Sequence, residues 1–187
     1  MKYPTVIIEN FFEKPYDIIE YSKTLEYRSP KKDEYWKGLR SENFSLINEE
    51  LNTFIISKIF AIFYNYNYEQ IGVYKTGIYF QKICYNDIKD LKNYLHRDDE
   101  QSLTGIIYLD KKENNLKTGT KIAKDKKNDK VLVANSFNTL LCYEGNQLHG
   151  PTGFLSDNSE RLTIVFFLGQ IKVKEYPLDR IRKIKGF

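Results

Sequence analysis

Hydrophobic and polar positions change their spacing about one third of the way along the 187-residue chain. In the first part, apolar residues recur at helical intervals. The clearest helix is predicted over residues 45–66, with Ser45 as its N-cap. A shorter helix is predicted around Pro15, because proline is tolerated in a first helical turn, and a strand over residues 4–9. Residues 29–43 are polar and contain a proline and a glycine, which predicts a loop.

The rest of the chain has the pattern of strands. Residues 71–84 are rich in β-branched and aromatic side chains, and 86–93 form a polar connector. Short strand candidates then follow at regular spacing, over residues 103–109, 118–123, 130–134, 139–144 and 162–171. Helices followed by many short strands predict an α+β protein. Its strands would form a sandwich or small barrel, with the N-terminal helices packed on one face.

Length and composition favour one globular domain over residues 1–187. Hydrophobic residues make up 41% of the chain and charged residues 29%, an ordinary balance for a folded domain. Aromatic residues reach 15%, which favours strands and an aromatic core. Within this domain we expect a mainly helical support (1–70), a strand core (71–171) and a basic C-terminal tail (172–187).

Charge and cysteine content narrow the class of protein. The net charge of +4 does not demand a nucleic-acid partner, although lysines concentrate in residues 121–130 and 172–187. Those segments fit either solvated faces or a phosphate-contacting patch. Two scattered cysteines, Cys84 and Cys142, favour reduced, buried thiols over a disulfide framework. No signal peptide and no run of about 18 apolar residues is visible, so we predict a cytoplasmic protein without membrane contact.

The two histidines stand in a pattern that suggests a metal site. His96 and Asp98 precede the strand predicted over 103–109, and His149 follows another predicted strand. On an extended segment, side chains two residues apart point to the same side, so His96 and Asp98 can reach one ion. Two imidazoles and one carboxylate on one face of an octahedron are typical of a mononuclear Fe(II) centre. The alternatives are a surface histidine beside acidic residues and a loop histidine bonded to backbone.

A kinase-type loop is a weaker interpretation of the residues around His96, and the role of Arg161 has two interpretations. A kinase-type His-Arg-Asp loop needs an asparagine five residues after the aspartate, and Leu103 stands there instead. Arg161 begins the last predicted strand and could offer its guanidinium fork to a carboxylate of a co-substrate. The alternative for Arg161 is a surface ion pair with Glu160 or Asp157.

Several stretches resemble the 2-oxoglutarate and Fe(II)-dependent dioxygenases, and most closely their small prolyl-4-hydroxylase-like branch, which includes phage and bacterial forms. "LHRDDEQSLTGIIYLD" resembles the first metal motif and its following strand, and "NTLLCYEGNQLHGPTGF" the second metal motif. "ERLTIVFFL" resembles the co-substrate strand, and "LKTGT" the family's Gly-Gly-Thr turn with Thr118 at the first glycine. The resemblance implies a double-stranded β-helix, or jelly-roll, fold.

The resemblance also implies a set of site residues. The Fe(II) ligands would be His96, Asp98 and His149, and 2-oxoglutarate would contact Arg161, Tyr108 and Thr163. No catalytic residue beyond the metal ligands is implied. Tyr108 is nearly as well explained as a core tyrosine, and Thr163 as an ordinary strand threonine.

The implied activity is hydroxylation of a C–H bond, coupled to decarboxylation of 2-oxoglutarate with O2, and ascorbate as a possible reductant. A prolyl or other amino-acid side chain, in a protein or a small molecule, is the substrate that the resemblance favours. The alternatives are an oxygenase acting on nucleic acid and a non-catalytic jelly-roll module, for example of a phage. Trp36 and Arg40 would lie near substrate if their loop crosses the barrel mouth, or would pack locally.

Overall fold

Two antiparallel sheets of unequal size form the framework of the protein. The computed structural model describes residues 1–65, 69–73, 75–88, 95–98, 103–110, 115–123, 129–153 and 160–184. The helices are α1 Pro15–Lys23, α2 Phe44–Ile47, α3 Glu49–Ala61, α4 Tyr85–Ile88 and α5 Pro177–Lys183. The strands are β1 Val6–Ile8, β2 Leu39–Arg40, β3 Lys75–Cys84, β4 Leu103–Tyr108, β5 Asn115–Ala123, β6 Asp129–Asn135, β7 Thr139–Glu144, β8 Leu148–Pro151 and β9 Glu160–Gly169.

The strand order is that of a jelly-roll. The large sheet has six strands in the order β1-β7-β4-β9-β3-β2, and the small sheet has three in the order β6-β5-β8. Every pairing between these strands is antiparallel. The predicted α+β class and jelly-roll fold are therefore confirmed.

The central strands of the large sheet are buried on both faces, and their side chains alternate between them. On β9, Ile164 and Phe166 belong to the main apolar core, which also contains Ile55 and Ile59 of α3. The intervening residues Arg161, Thr163, Val165 and Phe167 face a cavity between the sheets. A second, smaller apolar cluster fills the rest of that space, made of Tyr108, Ile122, Val133, Leu141 and Tyr143. The period of two along each strand thus separates the supporting core from the site.

The long helix expected over 45–66 is broken in two at Asn48. Asn43, rather than Ser45, caps α2, since its side chain accepts a bond from the Ser45 amide. Asn48 leaves the helical conformation with φ −159°, and its Oδ1 accepts a bond of 2.9 Å from the Leu51 amide to cap α3. An asparagine side chain bonded to its own backbone neighbourhood competes with the helix, which explains the break.

Other differences from the sequence-based prediction concern short elements. The loop predicted over 29–43 contains β2, and β8, which holds His149, was not among the predicted strands. The turn predicted at "LKTGT" lies inside β5, and the basic tail contains α5. The predicted connector 86–93 lies in the described part only up to residue 88, where α4 ends, and residues 124–128 of the lysine-rich segment also fall outside that part.

Both cysteines are free thiols, as expected, but only Cys142 is buried, while Cys84 is partly exposed. No helix among the described residues is both long enough and apolar enough to cross a membrane.

Candidate metal centre

Backbone hydrogen bonds bring His96, Asp98 and His149 together. His96 and His149 exchange N–H···O bonds of 2.8 and 2.9 Å, so the His96 segment continues the small sheet beyond β8. The Asp98 amide donates to the Gly145 carbonyl at 2.8 Å, just after β7 ends. Backbone hydrogen bonds therefore hold together chain segments that are about fifty residues apart.

The three side chains form a cluster whose dimensions suit one metal ion. One ligand atom from each of them lies within 4.8 Å of the others. Nε2 of His96 is 3.6 Å from Oδ1 of Asp98, and Nε2 of His149 is 3.4 Å from Oδ2. Ligand bonds of about 2.1 Å at right angles would place donor atoms about 3 Å apart. The distances in the cluster are thus close to those of a facial arrangement of two histidines and one carboxylate.

The protonation state of the imidazoles also fits metal binding. Nδ1 of His149 lies 2.8 Å from the Gln147 carbonyl, which can only accept, so Nδ1 carries the proton and the lone pair is on Nε2. Burial lowers the pKa of His149, and burial together with His149 lowers the pKa of His96 to about 4, against the opposing effect of Asp98. Both rings are therefore neutral at pH 7, the form that binds a metal.

The carboxylate of Asp98 has a supporting partner that the sequence did not reveal. The Thr104 hydroxyl on β4 lies 3.0 Å from Oδ2 of Asp98 and 2.9 Å from the Phe166 carbonyl. Its side chain is buried. Outer partners of this kind orient a ligating carboxylate and tune metal affinity. Thr104 could have been found from the strand alternation, because it is the cavity-facing residue nearest Asp98 on β4.

Arg161 and Thr163 border the same cavity as the metal cluster. The Nη1 group of Arg161 donates to the carbonyls of Thr118 and Gly119 at 2.6 and 3.2 Å, which fixes the guanidinium against β5. Its side chain is only 4% exposed, and Asp157, one of the alternative ion-pair partners, lies outside the described residues. Thr163 Oγ1 donates to the Gln81 carbonyl at 3.3 Å. An oxyanion at this wall would meet a buried, oriented cation.

Tyr108 occupies a different position. It packs in the small apolar cluster, and its hydroxyl lies 2.6 Å from Oγ1 of Thr120. Thr120 borders the cavity, whereas Tyr108 is not among the described residues that line it. A contact between Tyr108 and a carboxylate of 2-oxoglutarate therefore stays a prediction. Of the two bonded hydroxyl groups, the one that belongs to a cavity-lining residue is that of Thr120.

The cavity has a volume of about 380 Å³, in the range of sites for small molecules. Its apolar wall includes Ile83, Ile106 and Val165. Trp36 and Arg40 also line the cavity. From the sequence, these two residues could have lain near substrate or packed locally, and the structure places them at the site. The aromatic–basic spacing of "YWKGLR" was the only sequence signal for this wall.

Comparison with solved structures gives the fold a wider context. No protein-family model and no curated protein matches the sequence. A non-heme α-ketoglutarate-dependent epimerase, SnoN from nogalamycin biosynthesis, matches over 99% of this chain and 86% of its own, with a TM-score of 0.63 and 10% identity. HygX from Streptomyces hygroscopicus, solved with nickel and 2-oxoglutarate bound, matches over 90% and 83%, with a TM-score of 0.61 and 10% identity.

The chain has the fold of the 2-oxoglutarate and Fe(II)-dependent oxygenases. A prolyl-4-hydroxylase from Pseudomonas putida matches as well, over 88% of this chain and 86% of its own, with a TM-score of 0.51 and 12% identity. At such identities the likeness establishes the fold. The chemistry of this chain must be argued from its own residues.

Proposed function

We propose that the protein is an Fe(II)- and 2-oxoglutarate-dependent dioxygenase that hydroxylates a C–H bond of its substrate. The observation that supports this most strongly is the convergence of His96, Asp98 and His149 within 4.8 Å, on a fold shared with oxygenases of that class. The cluster contains two neutral nitrogen donors and one carboxylate. This donor set, with three positions left open, is the one that non-heme Fe(II) oxygenases use.

Each residue has a defined task in this proposal. His96, Asp98 and His149 hold the ion, and the bound ion with 2-oxoglutarate supplies the oxidising chemistry. Arg161 binds the far carboxylate of 2-oxoglutarate through its planar fork, and Thr163 and Thr120 add hydroxyl contacts on the same wall. The apolar side chains around the cluster limit the access of water. Thr104 keeps the Asp98 carboxylate turned toward the ion.

The substrate is the less constrained part of the proposal. The prolyl-4-hydroxylases among the structural neighbours are consistent with a prolyl or other amino-acid side chain. HygX has also been solved with hygromycin B bound, so the fold accommodates small molecules as well. We retain the amino-acid type of substrate, in a protein or free in solution. Ascorbate as a reductant, and a cytoplasmic location, stay predictions.

An anaerobic titration tests the site without knowledge of the substrate. Adding Fe(II) and then 2-oxoglutarate to metal-free protein is expected to produce the visible charge-transfer band of the chelate. His96→Ala and Asp98→Asn are expected to abolish it. Asp179→Asn, the same chemical change on the surface of α5, is the matched control and keeps the band. Succinate release that depends on both Fe(II) and 2-oxoglutarate is the expected second readout.

A non-catalytic jelly-roll module is the rival function. It predicts no chelate band and no succinate, with a folded protein. Retention of the band in Asp98→Asn would also overturn the assignment, because the ion would then be bound elsewhere.

A further inference from the structure

Two arginines, Arg28 and Arg40, contact the rings of Trp36, the single tryptophan of the chain. The Cζ atoms of Arg28 and Arg40 each lie 4.8 Å from the centre of a ring of Trp36. The two arginines also exchange backbone hydrogen bonds of 2.9 Å, so the stack is built on a short antiparallel bridge. Cation–π contacts of this kind fix the position of a guanidinium as well as stabilising it.

The two arginines differ in their charge partners. Arg28 donates to both carboxylate oxygens of Glu34, at 2.6 and 2.9 Å. Arg40 donates through Nε to Oε1 of Gln81 at 3.2 Å, and no described residue accepts a hydrogen bond from either of its Nη groups. Among the described residues, Arg28 is therefore paired with a carboxylate, whereas Arg40 has no carboxylate hydrogen-bonded to it.

Arg40 is nonetheless partly buried and held in position by aromatic rings. The rings of Tyr79 and Phe167 lie 5.4 and 5.3 Å from its Cζ, in addition to Trp36. Burial lowers the pKa of Arg40 to about 10, so it keeps its charge at pH 7. A partly desolvated cation whose two Nη groups have no acceptor among the described residues is costly unless an anion accepts from it.

The Arg40 side chain borders the cavity of the metal cluster. His96 and Asp98 line the same cavity, so Arg40 and the metal cluster face one space. The described residues lining the cavity include four basic side chains and a single acidic one: Lys37, Arg40, Arg97 and Arg161 against Asp98. A divalent ion adds two positive charges and 2-oxoglutarate removes two, so an excess of three positive charges remains.

We propose that Arg40 is the anchor for an anionic group, a carboxylate or a phosphate, on a small-molecule substrate. The Nη fork donates hydrogen bonds to two oxygens of such a group side by side, and the adjoining rings of Trp36 and Phe167 contact its apolar part. That the anion belongs to a substrate rests on the proposed oxygenase function, whereas the binding of an anion by Arg40 does not. A cavity of about 380 Å³ fits a small molecule, and its positive field raises the local concentration of anions.

Trp36 provides a direct readout, because it is the only tryptophan in the chain and stacks on Arg40. The protein is loaded with Ni(II) and 2-oxoglutarate, which keeps Arg161 occupied, and is titrated with 3-phenylpropionate, its neutral amide and inorganic phosphate. Tryptophan fluorescence and calorimetry both report the Kd. Calorimetry is needed because the Arg40 variants also change the surroundings of the indole.

The variants separate the role of Arg40 from a general loss of charge. Arg40→Met is expected to weaken 3-phenylpropionate binding about 10- to 100-fold, the usual effect of losing a charge-assisted bond. Arg40→Lys, which keeps the charge without the fork, is expected to give an intermediate Kd and serves if Arg40→Met does not fold. Arg182→Met removes an exposed charge on α5 and is expected to match the wild type.

The outcomes also distinguish the source of the anion. Tighter binding of phosphate assigns a phosphate-bearing substrate, and tighter binding of 3-phenylpropionate assigns a carboxylate. Equal binding of the amide, or an unchanged Kd in Arg40→Met, overturns the proposal. If Ni(II) or 2-oxoglutarate does not bind at all, the oxygenase function fails. The same titration on metal-free protein then still decides whether Arg40 binds an anion.

Discussion

Replacing Thr104 by valine removes one hydroxyl beside the metal cluster and keeps the shape of the side chain. That hydroxyl lies 3.0 Å from Oδ2 of Asp98, on a residue that is 2% exposed, so water does not replace it. Without it, the carboxylate loses a donor that orients it, and the affinity of the cluster for its ion falls. Outer-shell changes of this kind typically cost 10- to 100-fold in metal affinity, or about 1.4–2.7 kcal/mol.

The effect is measured by calorimetric titration of metal-free protein with Ni(II), which does not oxidise during the experiment. Thr104→Ser keeps the hydroxyl and is expected to bind within a few-fold of wild type. Thr139→Val is the matched control, because Thr139 is also a buried strand threonine that donates only to a backbone carbonyl. It begins β7, roughly 17 Å along the strand from the end that adjoins Asp98.

The three variants are expected to differ in their affinity for Ni(II) rather than to lose it equally. Thr104→Val should lower Ni(II) affinity, while Thr104→Ser and Thr139→Val should not. If Thr104→Val binds Ni(II) as tightly as the wild type, the hydroxyl has no role in orienting Asp98. If Thr139→Val weakens binding equally, the effect comes from loss of stability instead.

Two further predictions concern a tightly packed glycine of β5 and the ion pair between Arg28 and Glu34. Gly119→Ala is expected to destabilise the fold by about 3 kcal/mol or more, because a Cβ there would lie 1.7 Å from the Val133 carbonyl oxygen. Gly169→Ala is the control: the nearest contact of its Cβ is 3.4 Å, so its melting temperature should shift little. Equal melting temperatures for the two variants would contradict this. The bonds from Arg28 lower the pKa of Glu34 from 4.5 to about 2, so this pair stabilises the protein fully above pH 4.5 and loses its effect as the pH falls toward 2. The difference in melting temperature between wild type and Glu34→Gln should be constant from pH 5 to 8 and shrink below pH 4, and a difference that grows in acid would refute the assignment.

The strands of the core were predictable because their signal is local. β7 matches its predicted bounds of 139–144, and β4 ends one residue before the predicted limit. Alternating or continuous apolar runs bounded by turn residues leave little choice of conformation. The break at Asn48 was missed because it depends on one side chain bonding to its own backbone, which competes with a strong helical pattern.

β8 was missed for a different reason. The stretch "LHGP" has no strand pattern of its own, and it becomes a strand because Ile122 on one side and His96 on the other pair with His149. β2 similarly exists through its register with Lys82 and Gln81 of β3. Such pairings are long-range, and no window along the sequence contains both partners.

The ligating side chains were predictable from the order of residues along the chain: two histidines and an aspartate in an order that suits Fe(II), followed by an arginine on a strand. Donor chemistry and local spacing suffice for that, because both can be seen within a short stretch of sequence. What surrounds these groups depends on the folded arrangement. Folding places the Thr104 hydroxyl beside Asp98, the Thr118 and Gly119 carbonyls beside Arg161, and Arg40 in the cavity with no carboxylate of a described residue hydrogen-bonded to its fork. Hydrogen bonding and desolvation depend on distances of a few ångströms between residues that are remote in sequence, and folding alone sets those distances.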